Sequence, residues 1–367
     1  MNELPQTSSQ ALTQELPKNM QAALFYAPED VRVESIPLPK MDAGGLLIRV
    51  DAALTCGTDI KCFHRGHPVL LKNFPSPFGH ECSGTVVAVG QDVEHFSIGD
   101  RVVAANSAPC YDCFYCERGQ TNLCENLDLL NGAYAEFMAI PSQIVKYNTY
   151  KIPMHIPSEV AAFAEPLSVC VRAVALSDIT RGSRVAVLGT GPIGQLLIRS
   201  AKIMGAHVTA FGRSEAKQRL AQEFGGADVL ATLDFSQDGN VIKQQYTEEG
   251  RGFDVVIEAV GRPESWEWAV DLVRKGGTVN LFGGCKSGTT VTLPTRPLHY
   301  DEIKVISLFH HTPTYFKQAV DWLCDGLFDP RPLIHSTVGL TQWREAFELV
   351  ESGQAIKVAV HPAKMSS

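Results

Sequence analysis

Apolar and polar positions follow two patterns along the chain, and the change between them lies near Ser158. From about residue 21 to residue 150, apolar runs such as 46–50 and 85–89 are short, and glycines and prolines interrupt them. Short apolar runs between turn residues are typical of β-strands. We therefore predict a rolled antiparallel β domain in this part of the chain.

Beyond Ser158, segments with the period of a helix alternate with segments typical of strands. Helical periodicity covers 160–176; strands are predicted at 184–188, 208–211, 254–258 and 278–282, and helices at 192–204, 215–224 and 264–273. This alternation predicts a parallel sheet with crossover helices, an α/β fold. Two helices, 314–324 and 343–352, and a strand at 357–361 follow.

Length and composition exclude several classes of protein. A chain of 367 residues with 45% apolar residues can form two domains. The net charge of −8 without a basic run argues against a nucleic-acid partner, and no apolar run is long enough to cross a membrane. Residues 1–19 are polar and lack the features of a signal peptide, so we predict a flexible tail. Without a signal, the ten cysteines indicate the reducing cytoplasm.

A glycine-rich loop joins one predicted strand to the helix that follows. Gly189, Gly191 and Gly194 form the pattern G-x-G-x-x-G, with Pro192 and Ile193 between the last two glycines. In this context the pattern predicts a dinucleotide site, since the glycines permit a tight turn and a close approach of the pyrophosphate to a helix N-terminus. The alternative is a glycine-rich turn that binds no ligand.

The end of the next strand distinguishes the two nicotinamide dinucleotides. An NAD site carries an acidic residue there, which binds the ribose 2′-hydroxyl, but this chain has Gly212, followed by Arg213 and Ser214, with Lys217 nearby. Arg213 can donate to a 2′-phosphate, so we predict that NADP is favoured over NAD. The alternatives are that Arg213 and Lys217 are solvated surface residues, or that nearby Glu215 takes the acidic role.

Four cysteines crowd into fifteen residues, at Cys110, Cys113, Cys116 and Cys124. Four thiolates at this spacing can enclose one zinc ion and leave no position for a substrate, which is typical of a structural site. An iron–sulfur cluster is the main alternative.

A second group of metal-binding residue types is more dispersed. Cys56 follows a predicted strand, His80 lies 24 residues later, and Glu165 begins the helix that leads into the second domain. A thiolate, an imidazole and a carboxylate would leave one position of zinc open, as catalysis requires. Each residue also has a structural interpretation: a buried thiol, a turn histidine and a solvent-facing carboxylate.

With these motifs the chain resembles the zinc-containing medium-chain dehydrogenases, most closely the polyol (sorbitol/iditol) and threonine dehydrogenase branch. The resemblance extends from about residue 20 to residue 362. Its motifs are Cys-Gly-Thr-Asp at 56–59, Gly-His-Glu at 79–81, Gly-Asp-Arg-Val at 99–102, the four cysteines, Glu-Pro-Leu-Ser at 165–168 and the glycine loop.

The resemblance implies a catalytic zinc bound by Cys56, His80 and either Glu81 or Glu165. It also implies that Asp59 orients His80 and that Thr58 takes the substrate hydroxyl proton. Many relatives carry a histidine where this chain has Lys61, so Lys61 or the nearby His64 is the candidate for the outer end of a proton relay. Val260 joins the predicted dinucleotide-binding residues.

The implied fold is a Rossmann doubly wound parallel sheet plus a GroES-like antiparallel β catalytic domain. The predicted bounds are 1–19 for the tail, 20–166 for the catalytic domain with its zinc lobe at 107–126, 167–307 for the Rossmann domain, and 308–367 for the return to the catalytic domain. A homodimer or homotetramer built across the edge strand of the nucleotide domain, near 279–282, is also implied.

The predicted activity is hydride transfer between NADP(H) and an alcohol, a polyol or another secondary alcohol, at one of two zinc sites. The alternatives are an NAD-dependent polyol or threonine-type dehydrogenase, a zinc-free quinone or enone reductase, and a zinc-binding homologue without catalysis. His310 and His311 are predicted to have hydrogen-bonded structural roles. Phe63 and Phe74 belong either to the substrate pocket or to the core.

Overall fold

The computed structural model describes residues 16–68, 70–71 and 73–363; the predicted tail falls largely on residues 1–15, outside this range. The strands are β1 (Asn19–Ala27), β2 (Asp30–Pro37), β3 (Leu46–Leu54), β4 (Ser76–Pro77), β5 (Cys82–Val89), β6 (Arg101–Ala104), β7 (Ser107–Ala108), β8 (Asp128–Leu129), β9 (Phe137–Ile140), β10 (Thr149–Lys151), β11 (Arg184–Leu188), β12 (His207–Gly212), β13 (Val229–Thr232), β14 (Phe253–Glu258), β15 (Val273–Leu281), β16 (Lys304–Ser307), β17 (Ile334–Gly339) and β18 (Lys357–His361). The helices are α1 (Gly57–Arg65), α2 (Phe114–Glu117), α3 (Ser142–Asn148), α4 (Ser158–Ala161), α5 (Ala164–Leu176), α6 (Pro192–Ile203), α7 (Glu215–Glu223), α8 (Gly239–Tyr246), α9 (Pro263–Leu272), α10 (Thr295–Tyr300), α11 (Pro313–Cys324) and α12 (Trp343–Glu351).

The first part of the chain forms the small antiparallel pair β7-β8 and two larger sheets that are almost entirely antiparallel. The larger has the strand order β10-β6-β5-β3-β18-β17, with β9 also paired to β3, and the smaller has the order β2-β1-β4. The last two strands, β17 and β18, come from the end of the chain and pair in parallel. Because β18 pairs with β3, residues from both ends of the chain meet in one sheet.

The second half contains a parallel sheet of six strands in the order β13-β12-β11-β14-β15-β16. The chain starts in the middle of this sheet, proceeds to one edge and then returns to build the other half. The order therefore reverses between β11 and β14, and ligands of open α/β sheets bind at the carboxyl ends of strands at such a point. The two loops at this point follow Leu188 and Glu258.

Apolar side chains cover both faces of the parallel sheet, which explains why its strands are continuous apolar runs rather than alternating ones. One face packs against α5, α6 and α11 through residues such as Leu167, Leu196 and Phe316. The other face packs against α9 through Trp268 and Leu272. A separate core, with Phe63, Phe78 and Phe347 at its centre, fills the β domain.

The structure corrects several predicted elements. The helix predicted at 160–176 is two helices, α4 and α5, and β13, α8 and β16 were not predicted. The strand predicted at 278–282 is the end of the longer β15, which pairs with β14 on one side and β16 on the other. The prediction that this strand forms the sheet edge is therefore wrong, because the edge is β16. Within the described residues, no helix is long and apolar enough to cross a membrane.

Candidate active site

Two adjacent strands of the β domain bring Cys56, His80 and Glu81 together. Cys56 follows β3, and the other two directly precede β5, which pairs with β3. One ligand atom from each residue lies within 4.8 Å of the others. A thiolate, an imidazole and a carboxylate at these distances fit a zinc ion that keeps one position open. The structure thus brings together residues that are 24 positions apart in sequence.

Asp59 holds the ring of His80. The two side chains are buried, and His80 Nδ1 lies 2.8 Å from Asp59 Oδ1. If Nδ1 carries the proton, Nε2 is left with its lone pair as the metal ligand, and a carboxylate partner of this kind fixes the ring orientation of metal-binding histidines. Burial lowers the pKa of His80, but Asp59 and Cys56 raise it and outweigh burial, so it lies well above its usual value.

Tyr134 supports this pair and was not predicted from the sequence. Its fully buried hydroxyl lies 3.0 Å from Asp59 Oδ2 and 2.9 Å from the carbonyl oxygen of Leu54. Its ring also packs on Gly79, which has a φ of +88°, and a Cβ there would lie 2.6 Å from the ring. Gly79 is therefore required both by its backbone conformation and by this close approach.

Glu81 forms a buried ion pair with Lys357, the first residue of β18. Lys357 Nζ lies 2.7 Å from Glu81 Oε1 and also contacts Oε2. Both side chains are at most 3% exposed. A buried carboxylate without a cation would be strongly destabilising, so Lys357 explains how Glu81 is tolerated beside Cys56. An ionised carboxylate has about four lone-pair positions, so Glu81 can accept from Lys357 and still bind a metal ion.

Glu165 lies in a second group, together with His310 and His311. One ligand atom from each of these three residues lies within 4.8 Å of the others. Burial raises the pKa of Glu165 to about 7. His310 contacts Ser107 Oγ through Nε2 at 2.5 Å, and His311 Nε2 contacts Asn106 Oδ1 at 2.8 Å. Both histidines are hydrogen-bonded, as predicted, but their position beside Glu165 was not.

Helix α1 positions the residues predicted to move protons. Thr58 and Lys61 are exposed and are three residues apart, so they lie on neighbouring positions of one helix face. His64 is farther along the same helix, and carboxylates of Glu29 and Glu351 contact both of its ring nitrogens. These contacts raise the pKa of His64 and argue against a role in proton relay.

The two phenylalanines differ in their surroundings. Phe63 is buried and packs edge-on against Trp343, with ring centroids 5.4 Å apart, so it belongs to the core of the β domain. Phe74 is 61% exposed and its ring centroid lies 5.8 Å from that of Phe25.

The sulfurs of Cys110, Cys113, Cys116 and Cys124 lie within 4.8 Å of one another. Cys124 Sγ is 3.4 Å from Cys110 Sγ and 3.9 Å from Cys113 Sγ. A tetrahedron with metal–sulfur bonds of about 2.3 Å has sulfurs about 3.8 Å apart, so the four thiols fit one zinc ion. Backbone amides donate to the sulfurs, and the amide of Glu125 is the main cause that lowers the pKa of Cys113 to about 6.

The glycine loop has the geometry of a pyrophosphate site. Gly189 has a φ of +106°, and a Cβ on Gly194 would lie 1.9 Å from the carbonyl oxygen of Gly189. Gly191 caps α6 without a side-chain hydrogen bond, and a Cβ there would meet no atom within 4 Å. Free helix amides beside open space fit an anion. The loop also contacts α5, since Cys170 Sγ lies 3.9 Å from the carbonyl oxygen of Ile193.

Gly212 at the end of β12 is required by packing. A Cβ there would lie 2.5 Å from Thr190 Oγ1. The missing carboxylate at this position is therefore not by itself evidence for NADP, and that prediction depends on the two residues that follow. Arg213 and Ser214 are exposed, and the Arg213 guanidinium lies 5.6 Å from the ring centroid of Phe235.

Glu258, at the end of β14, is a buried residue near the glycine loop that was not predicted. Its Oε1 accepts hydrogen bonds from the amides of Val260 and Gly261, at 2.6 and 2.8 Å, and lies 2.7 Å from Ser265 Oγ. Val260 packs against Gly189, since its Cγ2 would lie 3.1 Å from a Cβ there. Glu258 therefore fixes the loop that faces the glycine loop. A single glutamate at a strand end gives no sequence signal for this role.

Two family models and several known proteins match this chain. The family described as the alcohol dehydrogenase GroES-like domain matches residues 42–153, and the family described as zinc-binding dehydrogenase matches residues 192–325. The erythritol/L-threitol dehydrogenase of Mycolicibacterium smegmatis is 31% identical, over 96% of this chain and 100% of its own. The chain belongs to the zinc-containing medium-chain dehydrogenases. The sorbitol dehydrogenase of Bacillus subtilis is 29% identical, over 96% of this chain and 99% of its own.

A solved structure of a family member agrees with the fold. The zinc-binding dehydrogenase from Sinorhizobium meliloti, bound to NADP, superposes with a TM-score of 0.86 at 28% identity and covers 94% of this chain and 100% of that one. The predicted branch, the pairing of a GroES-like domain with a Rossmann domain, and the class of alcohol or polyol dehydrogenase are thereby confirmed.

Proposed function

We propose that the protein interconverts a polyol, or another secondary alcohol, and its carbonyl product with NADP(H), and that the reaction takes place at Cys56, His80 and Glu81. The observation that carries this proposal is the convergence of these three ligand atoms within 4.8 Å. Glu81 is assigned as the third ligand rather than Glu165, because Glu165 lies with the two histidines instead. The four cysteines at 110–124 would hold a second, structural zinc ion.

Zinc at these ligands would supply a Lewis acid for the substrate oxygen, and the dinucleotide would exchange hydride with the substrate carbon. The residues of the chain fix the geometry around both. Asp59 orients the His80 ring, and Lys357 holds the carboxylate of Glu81. Thr58 would accept the substrate hydroxyl proton, and Lys61, on the same helix face, would connect it to solvent.

Helix α5 runs from the region of the metal centre to the glycine loop. Glu165 lies in its first turn, and Cys170, five residues later, contacts the glycine loop at Ile193. The nicotinamide end of a dinucleotide on that loop would thus lie on the side of the metal centre. Arg213 and Ser214 would bind the 2′-phosphate at the other end.

A substrate screen with NADP and NAD in parallel tests the proposal. Polyols, cyclitols and simple secondary alcohols are offered to the zinc-loaded protein and to protein stripped of metal. We expect NADP-dependent oxidation of polyols that is lost on stripping and restored by zinc. Full activity after complete removal of metal would refute the metal centre, and a clear preference for NAD would refute the roles of Arg213 and Ser214.

We also propose a homo-oligomer that forms through β16 and functions in the cytoplasm. One side of this parallel strand is unpaired within the described chain, and Val305 in it and Tyr300 at the end of the preceding helix α10 are exposed. A second copy could continue the sheet, which would remove an edge that otherwise favours aggregation. Light scattering after gel filtration should give a dimer or tetramer, and Val305→Pro should shift it towards the monomer.

A further inference from the structure

Glu258 lies at the end of β14, beside the point where the strand order of the parallel sheet reverses, and its side chain is fully buried. The loop that follows packs against the glycine loop: a Cβ on Gly189 would lie 3.1 Å from Val260 Cγ2 and 3.3 Å from the carbonyl oxygen of Ala259. On its other side, a Cβ on Gly283 would lie 2.8 Å from Glu258 Oε2. The carboxyl group is thus enclosed by two loops at the edge of the sheet where dinucleotides bind.

The carboxyl group of Glu258 has no counter-ion. Glu81, the other glutamate with no exposed surface, has Lys357 as its partner, whereas Glu258 forms no ion pair within the described residues. Its Oε2 is buried and accepts no hydrogen bond there. Burial raises the pKa of Glu258, and the hydrogen bonds that lower it do not cancel this effect. A buried carboxylate without a cation is so unfavourable that such a group takes up a proton instead.

Titratable groups on the neighbouring elements do not supply the missing charge. Arg262, which precedes α9, and Glu264, in its first turn, are exposed and lie 3.8 Å apart, so this guanidinium already has a partner. Cys285, in the loop after β15, has a pKa raised mainly by burial, so its thiol is uncharged at neutral pH. Neither element therefore offers Glu258 a free positive charge.

The contacts of Ser265 indicate the same protonation state. Its hydroxyl oxygen lies 2.7 Å from Glu258 Oε1 and 2.7 Å from the carbonyl oxygen of Arg262. One hydroxyl has a single proton, so it can donate to only one of these oxygens. If Oε1 carries a proton, Glu258 donates to Ser265, Ser265 donates to Arg262, and both short contacts are hydrogen bonds. The lone pairs of Oε1 then accept from the amides of Val260 and Gly261.

We propose that Glu258 is a neutral carboxylic acid in the folded enzyme and a positioning residue of the dinucleotide site, which holds the loop at 259–262 against the glycine loop. A neutral group suits this place, because an ionised carboxylate would repel the pyrophosphate through an interior that screens charge poorly. The inference rests on the dinucleotide site of the proposed function and applies to NADP and NAD alike. It concerns dinucleotide binding and not the metal centre.

Titration of the zinc-loaded protein with NADPH and NADH, followed by the fluorescence of the reduced nicotinamide, tests the positioning role. Glu258→Ala leaves two loop amides without an acceptor, so both dissociation constants should rise about tenfold or more. Glu258→Gln keeps a neutral acceptor of the same shape, so both should stay within about threefold of the wild type. Glu264→Ala, the same change at an exposed glutamate of α9, should bind both dinucleotides like the wild type.

Steady-state kinetics separate positioning from a general loss of structure. In Glu258→Ala the KM for the dinucleotide should rise, while kcat at saturating dinucleotide and the KM for the alcohol should change less than about twofold. Unfolding of some of the molecules would instead lower kcat and leave both KM values unchanged. Ser265→Ala removes the partner of the carboxyl group and keeps the two amide contacts, so it should raise the dinucleotide KM by a smaller factor. This variant replaces Glu258→Ala if that protein fails to fold.

Infrared difference spectroscopy measures the protonation state separately. At neutral pH, the spectrum of the wild type minus that of Glu258→Gln should contain the carbonyl band of a protonated carboxylic acid and lack the paired bands of a carboxylate. Carboxylate bands, or a dinucleotide affinity that neither Glu258→Ala nor Ser265→Ala reduces, would overturn the proposal. A wild type that binds neither dinucleotide would refute the proposed function and the positioning role together, whereas wild-type binding that the variants leave unchanged would refute the positioning role alone.

Discussion

Replacement of Arg213 by alanine should reduce the use of NADP without affecting NAD. A charge-assisted hydrogen bond to a phosphate contributes about 1.5–3 kcal/mol. Arg213 is exposed at the start of α7, so solvent and salt screen it, and the lower end of that range applies. About 1.5 kcal/mol corresponds to a fall of roughly tenfold in kcat/KM for NADP. The Arg213 guanidinium lies over the ring of Phe235, and this contact limits its mobility. The loss in kcat/KM for NADP should therefore not fall below this value.

Steady-state kinetics with both dinucleotides on the same preparation provide the assay. NAD lacks the 2′-phosphate and is the internal control, and its kcat/KM should change less than about twofold. The loss with NADP should shrink as ionic strength rises, because a phosphate contact at the surface is screened. Lys217→Ala, in the first turn of the helix that follows Arg213, is the companion variant. An equal loss in kcat/KM with NADP and NAD would show that Arg213 supports the fold of the site and does not bind the 2′-phosphate.

Three further changes test the metal centre and its surroundings. Asp59→Asn should weaken zinc binding about 10–100-fold, measured by chelator competition, because His80 loses its orienting carboxylate; unchanged affinity would contradict this role. Lys357→Met should destabilise the metal-free protein by about 3–5 kcal/mol, as Glu81 is left buried without a cation, and zinc should restore much of the loss; an equal loss with and without zinc would exclude Glu81 as a ligand. The stability from His64 is fully present below its ordinary pKa of about 6.5 and is lost as pH rises through its raised pKa, so the thermal midpoint of His64→Gln should depend less on pH than that of the wild type as the pH rises above about 6.5; an unchanged pH dependence would contradict this contribution.

Local signals explain which parts of the fold could be predicted. The glycine loop is recognisable because three glycines must occupy fixed positions between one strand and one helix, and the structure shows the close approach of Gly194 to Gly189 that requires them. The grouping of the four cysteines could equally be predicted, since all four lie within fifteen residues of one another in sequence and their sulfurs meet in the structure. In both cases the chemistry lies within a short stretch of the chain.

The residues that were missed act over long separations. Lys357 contacts Glu81 across 276 residues, and Tyr134 reaches Asp59 across 75. Neither has a distinctive neighbourhood in the sequence, so only the pairing of β18 with β3 and the packing on Gly79 place them. The edge of the parallel sheet was misassigned for a related reason: β16 is short and largely exposed, so it lacks the apolar run that identifies a buried strand.

The position of Lys357 has a consequence for how the catalytic centre forms. Cys56 and Glu81 lie beside β3 and β5, which are close in sequence and pair directly. The negative charge of Glu81, however, is compensated only when β18 joins β3 and brings Lys357 against it, or when a metal ion binds. A chain that has not yet placed its C-terminal strand must therefore leave Glu81 hydrated, because an unpaired buried carboxylate costs several kcal/mol. Closure of the sheet and assembly of the metal centre are thus one thermodynamic event, and zinc that binds the folded centre should stabilise the docking of β18 as well as the site itself.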